Sequence, residues 1–364
     1  MTENAAADPA RPSPVFLVGA PRSGTTMLAA MIGSHSQYAV GPESQFFSKL
    51  SPQVLKVAVA DPSWPDAAVG ALRSLTLADQ SVAKLFGIDE DALRAFLAAR
   101  EPSARAMLEA LTMPFADARG KPGWAEKTPN HLLNLDAIRA EWPEAAVVRI
   151  IRDPRDAALS TGRLPTFSSS FVANTLMWRS WQDRAAPFFD TDPRAITIRY
   201  EDLVANPEAQ LRSLCEFLNV DYEPSMIEFA NAAADVSSEN ETWKKPVSGA
   251  LDRSRMYAWR GTLDEGQKRF ASLINHEYLA RFGYEHEAAP VETKRVFRMS
   301  AELAEAHEAA LVAMAVRGRR WLPESDWHKA DLVCERPPYR RSHGLSFLAQ
   351  LVWGRLALTR LPKG

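Results

Sequence analysis

The stretch VFLVGAPRSGTTML, residues 15–28, decides the fold. Val15 to Val18 form an unbroken apolar run, the pattern of a short strand buried on both faces of a parallel sheet. Gly19-Ala-Pro-Arg-Ser-Gly24 follows with the glycine spacing of a phosphate-binding loop, and Thr25 to Ser34 reads as the next helix. A strand, a glycine turn and a helix start together make an anion site. Backbone N–H groups converge there, and the helix N-terminus carries partial positive charge. Gly19 and Gly24 let the backbone approach a ligand closely, while Ser23, Thr25 and Thr26 add hydroxyl donors. In a nucleoside triphosphate loop the next residues would be Lys and then Ser or Thr, the lysine reaching the outer phosphates and the hydroxyl holding magnesium. Here Thr25 and Thr26 stand instead, and Arg22, inside the loop, supplies a planar cationic fork suited to an oxyanion.

The same alternation continues outward from the loop. AAVVRIIRD at 145–153 and AITIRYEDL at 195–203 are further β-branched runs, each preceded by a proline. Helical segments follow, such as PEAQLRSLCEFLNV from 207, with proline at its start. Strands separated by helices predict a three-layer α/β/α fold around a central, mostly parallel sheet. An Ala/Leu-rich stretch, about 66–118, reads as a helical insertion over the sheet edge. The strand signal ends near residue 290. The expected organisation is a disordered leader over 1–13, an α/β domain over 14–290 and a C-terminal helical extension over 291–364.

Composition bounds the function. The 364 residues are 46% hydrophobic and 24% charged, a globular balance, and the formal net charge of −2 nominates no nucleic acid partner. Two cysteines, Cys215 and Cys334, make neither a disulfide framework nor a metal pattern. The polar, Ala/Pro-rich start lacks a basic region followed by an apolar run, and no apolar run is long enough to span a bilayer. These features favour a cytoplasmic protein.

A second constellation, RIIRDPRDAALSTGR, follows the second strand. Arg152 falls at the strand's C-terminal end, where α/β sheets bind ligands. Asp153-Pro154 opens a helix, and Ser160 lies eight residues past Arg152, two turns into it. The plain alternative is a helix capped by Asp153, with Arg152 and Arg155 as solvated charges. Two anion motifs on neighbouring strands imply a ligand with two separate phosphate-like groups.

Gly-x-Pro-Arg-Ser-Gly-Thr-Thr after a strand, followed by Arg-Asp-Pro-Arg and a Ser eight residues after the first Arg, resembles the sulfotransferases, across roughly residues 14–260. The closest flavour is the tyrosylprotein and bacterial branch. The resemblance implies a P-loop-like fold and 3′-phosphoadenosine 5′-phosphosulfate as donor, with no metal. It assigns Arg22, Ser23, Gly24, Thr25 and Thr26 to the 5′-phosphosulfate, and Arg152 and Ser160 to the 3′-phosphate. Glu43 in VGPESQFF matches the second Glu of the family's Gly-Glu-Glu segment and implies the general base; Pro42 replaces the first. Lys127 in WAEKTPNHL matches a lysine reaching the sulfate, and Tyr200 in IRYEDL a tyrosine lining the nucleotide. Ser238 and Lys245 fit two further donor contacts. A later lysine is absent, and Arg253 or Arg255 stands near its place.

The residues also carry blander readings. Glu43 sits in a Gly-Pro-Glu-Ser turn, where a glutamate is ordinarily solvated. His35 reads as an alternative base or as a residue favourable at a helix C-terminus. Thr128-Pro-Asn reads as an N-cap with proline at the first helical position. Phe46, Phe47, Trp178 and Trp181 read as core more readily than as an adenine platform. The basic, apolar-spaced C-terminal segments suit a helix packed on the sheet, with a peripheral membrane helix or a homodimer contact as alternatives. The expected reaction is sulfuryl transfer to a hydroxyl, less readily an amine, of a glycan, lipid or small metabolite. An ATP-dependent phosphotransferase of P-loop type and a non-catalytic nucleotide-binding protein are the competing classes.

Overall fold

The computed structural model describes residues 11–164, 167, 169–230, 232–236 and 251–286. They fall into two compact units, one within Met1–Arg152 and Arg184–Arg253, the other within Asp153–Asp183 and Ser254–Gly364. Ser238, Lys245, Cys334 and the segment 291–364 lie outside the described residues. Arg11, inside the expected leader, donates to Asp117 at 2.8 Å and to the Pro122 carbonyl at 3.3 Å.

The first unit is built on strands β1 (Val15–Val18), β2 (Tyr38–Val40), β3 (Thr76–Leu77), β4 (Gln80–Ser81), β5 (Gly123–Lys127), β6 (Ala146–Ile151) and β7 (Ala195–Arg199). Five of them form one sheet in the order β2-β5-β1-β6-β7, parallel at every pairing, and β3 and β4 make a separate antiparallel hairpin. Helices flank the sheet, so the expected α/β class with a central parallel sheet is what the chain adopts. β1 and β6 are buried throughout, which explains the continuous apolar run of β1 and that of β6 on either side of Arg149.

β2 and β5 carry no such signal. β2 is three residues long, and β5 reads Gly-Trp-Ala-Glu-Lys, yet all five of its residues are buried. Lys127 and Glu126 lie inside because Glu43 and Ser44, distant in sequence, receive them, a feature no local pattern shows. The stretch 66–118 holds the helices Asp66–Arg73, Val82–Leu85, Glu90–Ala98 and Ala104–Asp117 together with the small hairpin.

Topology fixes where a ligand binds. From β1 the chain leads through helix α1 (Thr25–Gly33) to β2, on one side; from β6 it proceeds to β7, on the other. The adjacent strands β1 and β6 therefore bound a switch point, the crevice at which open parallel sheets bind ligands. Leu17 pairs with Lys127 of β5, and Val18 with Arg149 of β6, so Gly19, Lys127 and Arg152 emerge along one sheet edge. Beneath this edge Phe16 packs on Trp124 and Trp142, with ring centroids 5.6 and 5.1 Å apart.

The second unit packs Ala158, Phe171, Trp259, Leu263 and Ala271 into a core of its own. Here the solvated reading of Arg155 is corrected. Its side chain is buried, bonded to Asp153 at 2.7 and 2.8 Å and laid 3.7 Å from the Trp259 ring centre. Asp153 also caps the helix Pro154–Thr161 by accepting from the Arg155 amide. A guanidinium stacked on indole and paired with a carboxylate tolerates burial that an isolated charge does not. Trp178 and Trp181 are buried, Trp178 edge-on to Tyr278, which fits their reading as core. Among the described residues no helix is long and apolar enough to cross a membrane.

Candidate functional site

The loop between β1 and α1 has the features of an anion cradle. Arg22 has φ +64° and Gly24 φ +103°, so the chain turns through the left-handed region twice before the helix begins. Gly24 occupies the N-cap position and has no side chain with which to cap α1. The first-turn amides are thus without a side-chain acceptor, as an anion site requires. Ser23 is fully buried, and its hydroxyl finds no hydrogen-bond partner among the described residues. Buried hydroxyls normally have partners, and an orphan inside a phosphate-type loop fits a ligand oxygen. Thr25 is buried, while Arg22 and Thr26 are half-buried.

Two glycines are required by what packs on them. A Cβ on Gly19 would lie 2.7 Å from the Ile150 carbonyl oxygen, and one on Gly24 2.6 Å from Cδ2 of Tyr200. Gly24→Ala meets both the clash and the left-handed backbone. It is expected to lower unfolding stability by about 1–3 kcal/mol and to displace Tyr200 from the loop. Urea unfolding of the full chain checks the loss.

Arg152 clamps the loop from the neighbouring strand. Its Nη1 donates to the Arg22 carbonyl at 3.1 Å, and its guanidinium lies 4.7 Å from the Tyr200 ring centre. Both side chains are buried, which overturns the solvated reading of Arg152. Arg22, Gly24, Arg152 and Tyr200, from the segments that directly follow β1, β6 and β7, thereby meet at the switch point. Ser160 belongs to the second unit, half-buried in the last turn of Pro154–Thr161.

Glu43 and Lys127 form the second part of the site. Glu43 follows β2 by three residues, and Lys127 is the last residue of β5. Lys127 is 0% exposed and Glu43 8%, so the solvated-turn reading of Glu43 is wrong. Lys127 Nζ donates to Glu43 Oε1 at 3.0 Å, and Gln45 Nε2 to Oε2 at 2.7 Å. The turn needs this pairing, because burying either charge alone is far costlier than burying the two together. Gln45 has φ +54°, a left-handed conformation uncommon for a residue with a side chain, and it opens helix α2 (Phe46–Lys49).

A third cluster was not anticipated from the sequence. The Glu126 carboxylate is fully buried and accepts from the Ser44 hydroxyl at 2.7 Å, the Thr128 hydroxyl at 2.6 Å and His131 Nδ1 at 2.8 Å. The Phe47 amide donates to His131 Nε2 at 3.1 Å, so the ring proton sits on Nδ1. Burial alone would raise the Glu126 pKa; the His131 ring and the two hydroxyls outweigh it and hold the group below the ordinary carboxylate value. Thr128 spends its hydroxyl on Glu126 rather than capping the short 3₁₀ helix Pro129–Leu133, although Pro129 does take the first position there. The flanking acids of EKTP and PES are the sequence signal that could have exposed the cluster.

His35 and the Phe46–Phe47 pair serve the interior. His35 is buried, its Nε2 bonded to the Asp221 carbonyl at 2.7 Å and its Nδ1 accepting from the Gln37 amide at 3.0 Å. With both ring nitrogens engaged it is a structural residue beyond the end of α1, not a base. Phe46 and Phe47 are buried, and Phe47 packs edge-on to His131 at 5.3 Å. Arg253, in the first unit, donates to the Ala205 carbonyl at 3.0 Å, while Arg255 belongs to the second.

Comparison with known proteins agrees with this geometry. Residues 14–224 match the model of the sulfotransferase family, more than half of the chain, and the protein belongs to that family. It is similar to protein-tyrosine sulfotransferase 1 of Danio rerio, 24% identical over 288 residues, 76% of this chain and 73% of the relative. It is also similar to nodulation protein NoeE of Sinorhizobium fredii, 25% identical over 300 residues, 74% of this chain and 65% of the relative. Among solved structures, the sulfotransferase domain of the Synechococcus PCC 7002 olefin synthase superposes with a TM-score of 0.55 at 20% identity, covering 77% of this chain and 98% of that domain. The fold is thus the P-loop-like fold of the sulfotransferases, and the chemistry it supports is, in general terms, sulfuryl transfer.

Proposed function

We propose that the chain transfers a sulfuryl group from 3′-phosphoadenosine 5′-phosphosulfate to a hydroxyl-bearing acceptor, with Glu43 as general base. The observation that carries this reading is the buried Glu43–Lys127 pair, one strand from a phosphate-type loop that lacks the triphosphate lysine. Sulfuryl transfer resembles phosphoryl transfer, with in-line geometry and charge developing on the leaving oxygen. A bond forms between the acceptor oxygen and sulfur as the bond from sulfur to the bridging phosphate oxygen breaks. The hydroxyl proton goes to Glu43, and the electron pair of the broken bond stays with the phosphate.

Each residue then has a task. Glu43 takes the proton. Lys127 and Arg22 stabilise charge on the departing phosphate. The loop Ser23, Gly24, Thr25 and Thr26 holds the 5′-phosphosulfate, with the Ser23 hydroxyl gaining a partner. Arg152 and Tyr200, and by their place in the motifs Ser160, Ser238 and Lys245, are assigned to the remainder of the donor. Glycans, lipids and small metabolites are the acceptor classes that this base would serve.

Two measurements test the reading. The product nucleotide 3′,5′-adenosine bisphosphate should raise Tm of the full chain more than ATP with magnesium; at 100 times Kd the gain is about 2.7 kcal/mol. Stabilisation by ATP with magnesium alone would overturn the donor. Labelled sulfate is then offered with 2-naphthol, lactose and 1-dodecanol as acceptor probes. At least one should become labelled, and a panel on which none does counts against the transfer.

A further inference from the structure

We propose that Glu126 is a positioning residue for Glu43. Through Ser44 and Thr128 it fixes the backbone on both sides of the Glu43–Lys127 pair and so sets where the base presents its carboxylate. The proposal rests on Glu43 being the base.

The connections run through neighbours of the pair. Ser44 follows Glu43, and Thr128 follows Lys127. Both donate their hydroxyls to one oxygen of Glu126, Oε1, and the Ser44 amide reaches the same atom at 3.4 Å. Thr128 Oγ1 in turn accepts the Gln45 amide at 3.3 Å, and Gln45 is the residue whose side chain holds Glu43 Oε2. The other oxygen of Glu126 is tied to His131, which accepts the Phe47 amide. Residues 44, 45 and 47 are therefore each anchored, directly or through one side chain, to a single buried carboxylate.

That anchoring does what the local sequence cannot. Gln45 stands in the left-handed region without being glycine, a conformation that persists only where surroundings over-determine it. The Gln45 amide bond to Thr128 holds that residue itself, and the Ser44 and Phe47 bonds hold the chain on either side of it. Consecutive side chains of β5 point to opposite faces, so Lys127 meets Glu43 directly while Glu126 holds the strand and the turn together from the other side. A base displaced by about 1 Å loses on the order of 100-fold in rate even when substrate still binds.

The test compares Glu126→Gln with wild type, using whichever acceptor probe turns over. A glutamine accepts from His131 and reverses its bonds with the hydroxyls, so the interior stays hydrogen-bonded while the Ser44–Thr128 tether weakens. Per site titrated with 3′,5′-adenosine bisphosphate, kcat should fall about 10- to 100-fold. KM for the acceptor and nucleotide affinity should stay within about twofold, and the acidic limb of the pH–kcat profile should move. A merely structural role lowers the number of titrated sites and leaves kcat per site and the profile unmoved; that result overturns the proposal.

The double variant separates the two claims. In a Glu43→Gln background, Glu126→Gln should cost nothing further, because its effect runs through a base already removed. Additive losses would sink the positioning role while leaving the base intact. Full turnover by Glu43→Gln alone would instead sink the base, and this proposal with it. If Glu126→Gln does not accumulate as folded chain, Ser44→Ala removes one donor to the same oxygen and is read by the same criteria.

Discussion

Glu43→Gln should lower kcat by two to four orders of magnitude while leaving the affinity for 3′,5′-adenosine bisphosphate within about twofold of wild type. The substitution is nearly isosteric. Its amide oxygen still accepts from Lys127 Nζ, and the Gln45 amide, turned over, accepts from the new Nε2 in place of donating to Oε2. The backbone of the turn keeps its hydrogen bonds, but the buried Lys127 loses its counter-charge, so stability falls as well. Rates are therefore counted per nucleotide-binding site, and what disappears from the folded sites is the capacity to take a proton at that point. The size of the loss should depend on the acceptor. An alcohol holds its proton far more tightly than a phenol, whose pKa is about 10. The ratio of wild-type to variant rates should consequently shrink along a series of phenols of falling pKa. Single-turnover transfer of labelled sulfate along that series measures the ratio, and nucleotide affinity is read by calorimetry on the same preparations. Retention of full turnover by the variant would remove Glu43 from the mechanism.

What the sequence revealed of this site followed from how local each determinant is. The loop is legible because everything that shapes it lies within residues 15–28: an apolar strand, glycine at the close approaches, hydroxyls at the helix start. Gly24 is required by Tyr200, but its left-handed place before a helix could be expected without knowing that partner. The three strong strands were readable for the same reason. β5 was not, because two of its five residues are charged, and their burial depends on Glu43 and Ser44, 84 and 82 positions away, as well as on His131 in the short helix that follows. Glu43 illustrates the point most sharply. By itself it is a turn glutamate, and only Lys127, 84 positions away, makes it a buried one. Arg155 was misread in the same direction, since its ring partner Trp259 is equally remote. The two anion motifs place their strands side by side, but the full strand order has no local signature, so the switch point between β1 and β6, and the bond from Arg152 to the loop, appear only in the folded chain.

Lys127→Met should be the most destabilising of these changes, by about 3–5 kcal/mol, because it leaves a buried carboxylate without its counter-charge. For a unit of this size that corresponds to a fall in Tm on the order of 10 °C. Replacing both partners removes the uncompensated charge, so Glu43→Gln combined with Lys127→Met should recover much of the loss. The two substitutions are thus strongly coupled in stability, as contacting groups are. Turnover should behave differently. In the proposed mechanism Glu43 acts on the proton of the attacking hydroxyl, and Lys127 on the charge of the departing phosphate, at opposite ends of an in-line transfer. Their contributions to the barrier should therefore add, and the double variant should be slower than either single one. Denaturant unfolding of the four chains gives the first cycle, and single-turnover rates per nucleotide-binding site give the second. Rates as fully coupled as the stabilities would mean that Lys127 does no more than hold Glu43, and the charge on the leaving oxygen would then fall to Arg22 alone.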